Sequence, residues 1–485
     1  MSVPICLKYW GRETYGNWLA LIAAFMLVRS LELGFVLYVG NEINTLYHKS
    51  QDALREHLAS SIMGLSVICA VQFSIGLAAF ASPRIVSMVG MTSDPASDHR
   101  SGLALLVLIA TWVLSGSYLG IVHRLLIPTG MMYQSAWWAM GFQVSQFAGI
   151  MLAAVLHFDM LQTSVLFAFL QSSIYVGSAI YIRNKLPMYY PWWRGGRSRV
   201  GFKDLGRSMF LTASNLVQQG STNGTVLLIS ALSGPAAVPV FTTARTLANL
   251  WTNVTNVLTT PLLPEVVRYH ATGEGQKIVT ISEAHWVLVG STVNLGVLLT
   301  YPLIKPMYGY WTAHTVALDS SLLCLLIAGV VVMNVGGLIS LYLNGINSLP
   351  VVLATSVIRG LLSLVVGGVL SRYFGLAGFG IGILLGEVLA LGVMGRHFVR
   401  RELSRQGVGL SLRSLAPITV SSISVLAFLM SDGFGFPFAR TTYAVALLSV
   451  AAAAVWGWRG LEEGVRTRLV RMIGNRLSRN GVGPS

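Results

Sequence analysis

Thirteen runs of about 20 predominantly apolar residues, the length a helix needs to cross roughly 30 Å of hydrocarbon, are spread over nearly the whole chain and leave it one class of fold. Their cores are 16–40, 58–82, 101–122, 133–156, 161–182, 208–232, 236–262, 281–301, 320–343, 350–370, 375–395, 414–431 and 441–458. The strands of a membrane β-barrel would show as segments of about ten residues alternating apolar with polar, and no such pattern occurs. Inside a bilayer each backbone polar group must be satisfied within its own helix. The sequence therefore predicts an all-α, polytopic bundle of about 13 transmembrane helices. Only 11% of the 485 residues are charged and the mean hydropathy is +0.66, whereas an ordinary soluble domain is about 25% charged. Residues 1–15 lack the apolar core of a signal peptide, so the helices themselves are expected to direct insertion.

A net charge of +15 would suggest nucleic acid in a soluble protein, but its distribution points elsewhere. With the basic cluster from Arg183 to Arg207 placed in the cytoplasm and the spans alternating outward, about 23 of the 33 Lys and Arg fall on the cytoplasmic side. About seven fall outside and three inside spans, the asymmetry expected of membrane topology and not of a polyanion-binding face. The N-terminus is then external, and the tail from Arg459, with Arg466, Arg468, Arg471, Arg476 and Arg479, is cytoplasmic. Opposite ends require an odd number of spans.

Cys6, Cys69 and Cys324 are too far apart for a disulfide framework or a CxxC metal site. No HExxH, GxSxG or phosphate-binding loop occurs, and the histidines lie mostly at helix ends or in loops. No enzymatic chemistry, cofactor or direct use of ATP is expected.

Charges inside spans cost about 2.5–3.5 kcal/mol each on insertion scales, so they need partners or a wet cavity. Arg29 and Glu32 lie three residues apart on the first helix, close enough to pair. Arg245 heads a stripe on the seventh: at about 100° per residue, Arg245, Asn249, Thr252, Asn253 and Asn256 share one face. Asn215, Gln218, Gln219, Thr222 and Asn223 do the same on the sixth. Arg359 and Glu387 stand alone on the tenth and eleventh. Amides glue helices together in many membrane proteins. A solitary arginine that continues in amides points instead to a wet, anion-facing cavity, because the guanidinium fork matches two phosphate oxygens and keeps its charge. Glu32 and Glu387 are the acids well inside spans that could take a proton or pair with a cation, Glu283 lying at the very edge of its span.

An internal echo suggests two related halves. NEINTLYHKSQD (41–52) ends the first span and LPEVVRYHATGEGQK (263–277) the seventh, each with an acidic residue, Glu42 or Glu265, followed by a Tyr-His pair. Parallel six-helix halves recur in transporters. The predicted organisation is an N-terminal helical half over 1–183, a basic cytoplasmic linker over 184–207 and a C-terminal half over 208–398. Two additional spans follow over 399–458, and then a basic tail over 459–485. The aromatic run YYPWWRGGR in the linker reads as an anchor at headgroup depth.

Three stretches resemble the polysaccharide-transport branch of the multidrug, oligosaccharidyl-lipid and polysaccharide exporter superfamily, which contains O-antigen and exopolysaccharide flippases. They are YWGRETYGNWLALIAAFMLVRSLELGFVLYVGNEI (9–43), FTTARTLANLWTNVTNVLTTPLLPEVVRYHATGE (241–274) and the run from Tyr342 to Gly386 with its LAG step. The resemblance implies two pseudo-symmetric halves, with the family's first helix, which precedes the YG.W turn, apparently missing. It also implies a bacterial cytoplasmic-membrane flippase for an isoprenoid-pyrophosphate-linked oligosaccharide, working beside membrane lipids and with polymerase and export proteins. Arg245, Asn249, Asn253, Asn256, Arg29, Arg359, Gln218 and Gln219 are then the candidate substrate contacts, and Glu32 and Glu387 the candidate cation-coupling acids. The rival readings are a cation-coupled drug antiporter of the same superfamily, which would want more acid than arginine in its cavity, and a membrane polysaccharide polymerase or ligase, which would want a large catalytic external loop. The external segments 83–100 and 302–319 are short and carry no net charge.

Overall fold

A computed structural model describes residues 2–47, 49–82, 95–259, 262, 266, 269–270, 272–345, 348–405, 407–409, 412–460 and 463. Among them are thirteen helices of membrane length, one for each apolar run. They are α1 (Val3–Asn44), α2 (Gln51–Ala81), α3 (His99–Leu126), α4 (Met132–Val155) and α5 (Met160–Lys185); α6 (Ser198–Ser233) and α7 (Ala237–Thr259); α8 (Gly275–Trp311) and α9 (Ser320–Gly345); α10 (Pro350–Phe374) and α11 (Leu376–Arg405); and α12 (Leu412–Gly433) and α13 (Ala439–Gly460). Eleven are long and apolar enough to cross a bilayer by composition. The two that fall short are α6 and α7, the helices that carry the amide stripes. The protein is a multi-pass membrane protein built from helices.

Local sequence chemistry sets the helix ends. Ser50 caps α2 by accepting a hydrogen bond from the Ala53 N–H at 3.3 Å. Asp159 and Gln162 close a capping box on α5, the arrangement that satisfies two of the N–H groups a helix start leaves over. α1 is interrupted at Gly11, whose φ of 74° lies in the left-handed region that glycine adopts without strain.

The contacts divide the chain into two compact units. Unit 1 takes the chain up to Thr243 together with Tyr308–Ala317, and unit 2 takes Ala244–Met307 and the chain from Leu318 onward. In unit 1, α6 packs along α1 and α2, α2 along α3, and α3 and α4 along α5. Trp18, Leu21, Phe25, Phe35, Leu54, Leu65 and Tyr175 lie in its core. The α1–α6 contact is backbone against backbone: a Cβ on Gly34 would lie 2.1 Å from the Thr212 nitrogen. In unit 2, α9 is the central helix, 78% buried over its apolar window, and packs on both α11 and α12. α13 packs on α12, so the last two spans form part of this unit.

Within unit 2 a row of glycines lets α11 lie directly on α10. A Cβ on Gly378 would meet the Leu370 carbonyl carbon at 2.4 Å, one on Gly382 the Gly367 Cα at 2.7 Å, and one on Gly386 the Arg359 oxygen at 3.2 Å. Small residues at such spacing are how helices approach closely where lipid supplies no hydrophobic drive.

The boundary between units differs from the one that the charge pattern predicts. Charge places it at 184–207, whereas the contacts place it after Thr243, because α6 packs on α1 and α2. The basic segment therefore joins two helices of one unit, and unit 1 holds six membrane-length helices once α6 is counted. Of the other predicted features, Glu265, most of the external segment 83–100, and the tail beyond Glu463 lie outside the described residues.

Candidate substrate and coupling sites

The charged pair of unit 1 sits where α1 leaves regular α-helical geometry. Ser30–Glu32 form a single 3₁₀ turn, and Gln72 of α2 donates from Nε2 to the Val28 carbonyl beside it at 3.2 Å. Arg29 does not close the predicted ion pair with Glu32. Its guanidinium stacks over the Trp112 ring of α3, 3.7 Å from the centroid, with Nη1 toward Met26 Sδ at 3.9 Å. The reason is a partner on another helix: a buried indole face attracts a guanidinium by cation–π attraction of about 2 kcal/mol or more when desolvated. Trp112 also opens a π-helical segment, Trp112–Gly116, where α3 takes in an extra residue.

Glu32 is 2% exposed. Ser117, Trp112 and Gln72 are the polar side chains around its carboxylate, yet none closes a well-aligned hydrogen bond. Glu32 Oε2, Gln72 Oε1, Trp112 Nε1, Ser117 Oγ and Arg29 Nε are all buried without a hydrogen-bond partner. Beside them a cavity of 10 Å³, about the size of one water, is lined by Arg29, Thr111, Gln146, Gln171 and Tyr175 among apolar neighbours. Unsatisfied buried polar atoms cost about 1–3 kcal/mol each, so these five groups together form a polar cluster inside an apolar core.

In unit 2, Arg359 and Glu387 do not stand alone. Arg359 Nε of α10 lies 3.0 Å from Glu387 Oε1 of α11, with 28% and 10% of the side chains exposed. Each is solitary on its own helix, and the glycine row brings the two helices together. Both members border helix irregularities: π-helical Leu362–Val366 follows Arg359 within a turn, and π-helical Val388–Gly395 starts at the residue after Glu387. Arg29, Glu32, Arg359 and Glu387, though not Arg245, thus lie at breaks in α-helical register, and π-segments often mark functional positions.

Arg245 is half-buried on α7, and the stripe below it is open: Asn249, Asn253 and Asn256 are exposed. Opposite the stripe, Trp251 closes on Gly296 so tightly that a Cβ there would be 2.0 Å from the ring, and at the end of the helix Thr259 Oγ1 meets His285 Nε2 at 2.9 Å. On α6, Gln218 is exposed and Gln219 half-buried. Their neighbours bond within the helix: Asn223 Nδ2 donates to Gln219 Oε1 at 2.9 Å and Asn215 Nδ2 to the Leu211 carbonyl at 2.9 Å. The candidates therefore fall into two sets, Arg29, Glu32, Gln218 and Gln219 in unit 1 and Arg245, Asn249, Asn253, Asn256, Arg359 and Glu387 in unit 2.

A search for charges overlooks the neutral groups that complete these clusters. Gln72, Trp112 and Ser117 surround Glu32. In unit 2, Asn294 donates to Ser421 and Ser422 at 3.2 and 3.1 Å, while Asn334 is 1% exposed with neither amide atom bonded. An amide inside a strongly apolar run was the available signal. Among the described residues no three His, Cys, Asp or Glu side chains group as a metal site.

Outside the apolar cores, the segment between α5 and α6 is docked onto α2. Tyr189 donates to Gln51 Oε1, the Arg197 N–H to Ser60 Oγ at 2.8 Å, and Arg197 Nε pairs with Glu56 at 3.0 Å. Asp204, ahead of the 208–232 core, lies 3.4 Å from His57 Nδ1. Burial pushes its carboxyl above the ordinary range, with His57 opposing.

No family profile and no curated relative matches the chain. Solved structures do match. A multidrug resistance MATE family transporter of the MOP superfamily, in its inward-facing conformation, superposes with a TM-score of 0.68 at 16% identity, over 84% of this chain and 94% of that one. The lipid II flippase MurJ, inward closed, gives 0.66 at 13% identity over 94% and 95%. A MOP superfamily transporter from Pyrococcus furiosus with a binding pocket of reversed polarity gives 0.57 at 14% over 84% and 92%. The chain has the fold of MOP superfamily transporters.

Proposed function

We propose that the protein is a flippase that carries an isoprenoid-pyrophosphate-linked oligosaccharide across the bacterial cytoplasmic membrane by alternating access, for assembly of a cell-surface polysaccharide. The observation that carries this reading is the stripe on a membrane-length helix in which half-buried Arg245 is followed by exposed Asn249, Asn253 and Asn256. A charged and amide-lined face is costly against lipid and suits a substrate with a pyrophosphate at one end and sugar hydroxyls beyond it. The flippase neighbour, which aligns with 94% of this chain, supports a lipid-linked cargo.

Arg29, Arg359, Gln218 and Gln219 are secondary candidates on this reading. Of the two acids, Glu32 is the better coupling group. Glu387 has its charge balanced by Arg359 at 3.0 Å, whereas Glu32 is ringed by polar atoms with spare hydrogen-bonding capacity. A drug-antiporter reading gains nothing from Arg245, because a cationic compound would be repelled there.

Depletion of the protein followed by analysis of lipid-linked oligosaccharides tests the proposal. Complete repeat units accumulating on the inner leaflet are the expected result. Unpolymerised units accumulating on the outer leaflet would reassign the protein to polymerisation, and an unchanged lipid pool would remove it from this process.

A further inference from the structure

Unit 1 contains a second cavity, of 490 Å³, that the transport reading does not use. That volume falls within the roughly 300–1,000 Å³ of small-molecule sites. It is a slot between α2, α3 and α5, walled by Ile62, Leu114, Leu119, Val122, Val176 and Ala179, with Ser66, Ser115 and Tyr118 as its polar lining and Trp192 and Trp193 at its mouth. Its flank is open to lipid: Leu114 is 79% and Val176 55% exposed.

The mouth is basic and aromatic. Val176, Ala179 and Arg183 follow one another on a single face of α5 at three- and four-residue spacing, so Arg183 stands above the apolar wall. Its guanidinium lies 4.5 Å from the Tyr190 ring, and Tyr190 packs edge-on against Trp192 and Trp193 at 5.4 and 5.6 Å. Arg194 follows next in sequence and is exposed. The docking of this segment on α2 by Tyr189 and Arg197 holds the aromatic cluster in place.

We infer that the slot binds an anionic phospholipid of the leaflet facing residues 183–207, its acyl chain along the Val176–Ala179 wall and its phosphate at Arg183. An apolar groove capped by arginine and tryptophan at headgroup depth matches both ends of such a lipid. The site shares no residue with the Arg245 stripe, and its occupancy does not depend on what the protein transports.

The test uses the full chain in detergent, titrated with phosphatidylglycerol brominated on its acyl chains and, in parallel, with brominated phosphatidylcholine, following tryptophan quenching. Phosphatidylglycerol should quench a component that is missing from a Trp192→Phe, Trp193→Phe variant. Half-quenching should come at about fivefold lower concentration than with phosphatidylcholine, the factor that one arginine near a membrane surface adds for an anionic lipid. Arg183→Gln should abolish the preference and Arg183→Lys retain it, while Ala179→Leu, which fills the slot, should weaken both lipids alike. Equal quenching by the two lipids, or a preference that survives Arg183→Gln, would overturn the inference. Displacement of the brominated lipid by an isoprenyl phosphate more readily than by unlabelled phosphatidylglycerol would also overturn it, giving the slot to a transported lipid.

Discussion

Arg359 on α10 and Glu387 on α11 form an ion pair between neighbouring helices of unit 2, Nε to Oε1 at 3.0 Å. Removing one member of a buried pair leaves the other charge unbalanced, at a cost of about 3–5 kcal/mol. Replacing both with apolar residues is often neutral or better. Glu387→Gln should therefore lower the melting temperature of the purified protein sharply, and Arg359→Met with Glu387→Leu should restore it. A Glu387→Gln variant that melts with the wild type would show that the pair contributes nothing to the fold.

Arg245 separates charge from geometry. Lys keeps the charge but loses the bidentate fork, and Gln loses both. Flipping rates in proteoliposomes should fall in the order Arg, Lys, Gln. The Gln variant should lose about 2 kcal/mol or more of substrate binding, a factor of about 30. Protein abundance should not change. Normal flipping by Arg245→Gln at normal abundance would take this residue out of the mechanism.

Glu32→Gln keeps the volume and removes the charge. If Glu32 couples transport to a cation or proton, the variant should lose the dependence of rate on pH or cation gradient. Its driven transport should fall by about 5- to 150-fold, the usual range of a coupling free energy, with Glu387→Asp left gradient-dependent. An unaltered gradient response in Glu32→Gln would move coupling to another group.

Asp204 gives a pH test in unit 1. Burial holds its folded-state pKa above that of the unfolded chain. The stability this group contributes is therefore full below its unfolded pKa and is lost as pH rises through its folded value. In a His57→Gln background, where only the carboxylate of the pair titrates, the protein that keeps Asp204 should gain in stability on its Asp204→Asn counterpart as the pH falls from neutral toward 4. Melting temperatures that differ by a constant amount across that range would show that Asp204 titrates normally.

The helices, and the two whose polar stripes hold them below the apolar threshold, were legible in the sequence because span length and amide spacing are properties of one helix at a time. The pairing of Arg359 with Glu387 and the stacking of Arg29 on Trp112 were not. Each joins separate helices, and no periodicity within one helix points to the partner. The unit boundary was misleading for a different reason: basic residues at 184–207 report which side of the membrane a segment faces, while the packing of α6 on α1 and α2 is decided by small residues such as Gly34. The π-segments left only a faint trace, a glycine closing Trp112–Gly116, Trp286–Gly290 and Val388–Gly395.

The glycine row between α10 and α11 has a consequence for biogenesis. α10 leaves the ribosome carrying Arg359 before any acid has been made to offset it, and an arginine at the centre of a lone span costs about 2.5–3.5 kcal/mol to insert. That cost is offset if α10 enters the bilayer together with α11, with Arg359 and Glu387 already paired across the hairpin. A bulky residue at Gly378 or Gly382 would then be felt during synthesis, as a helix that fails to leave the translocon, before any finished protein exists to be unstable.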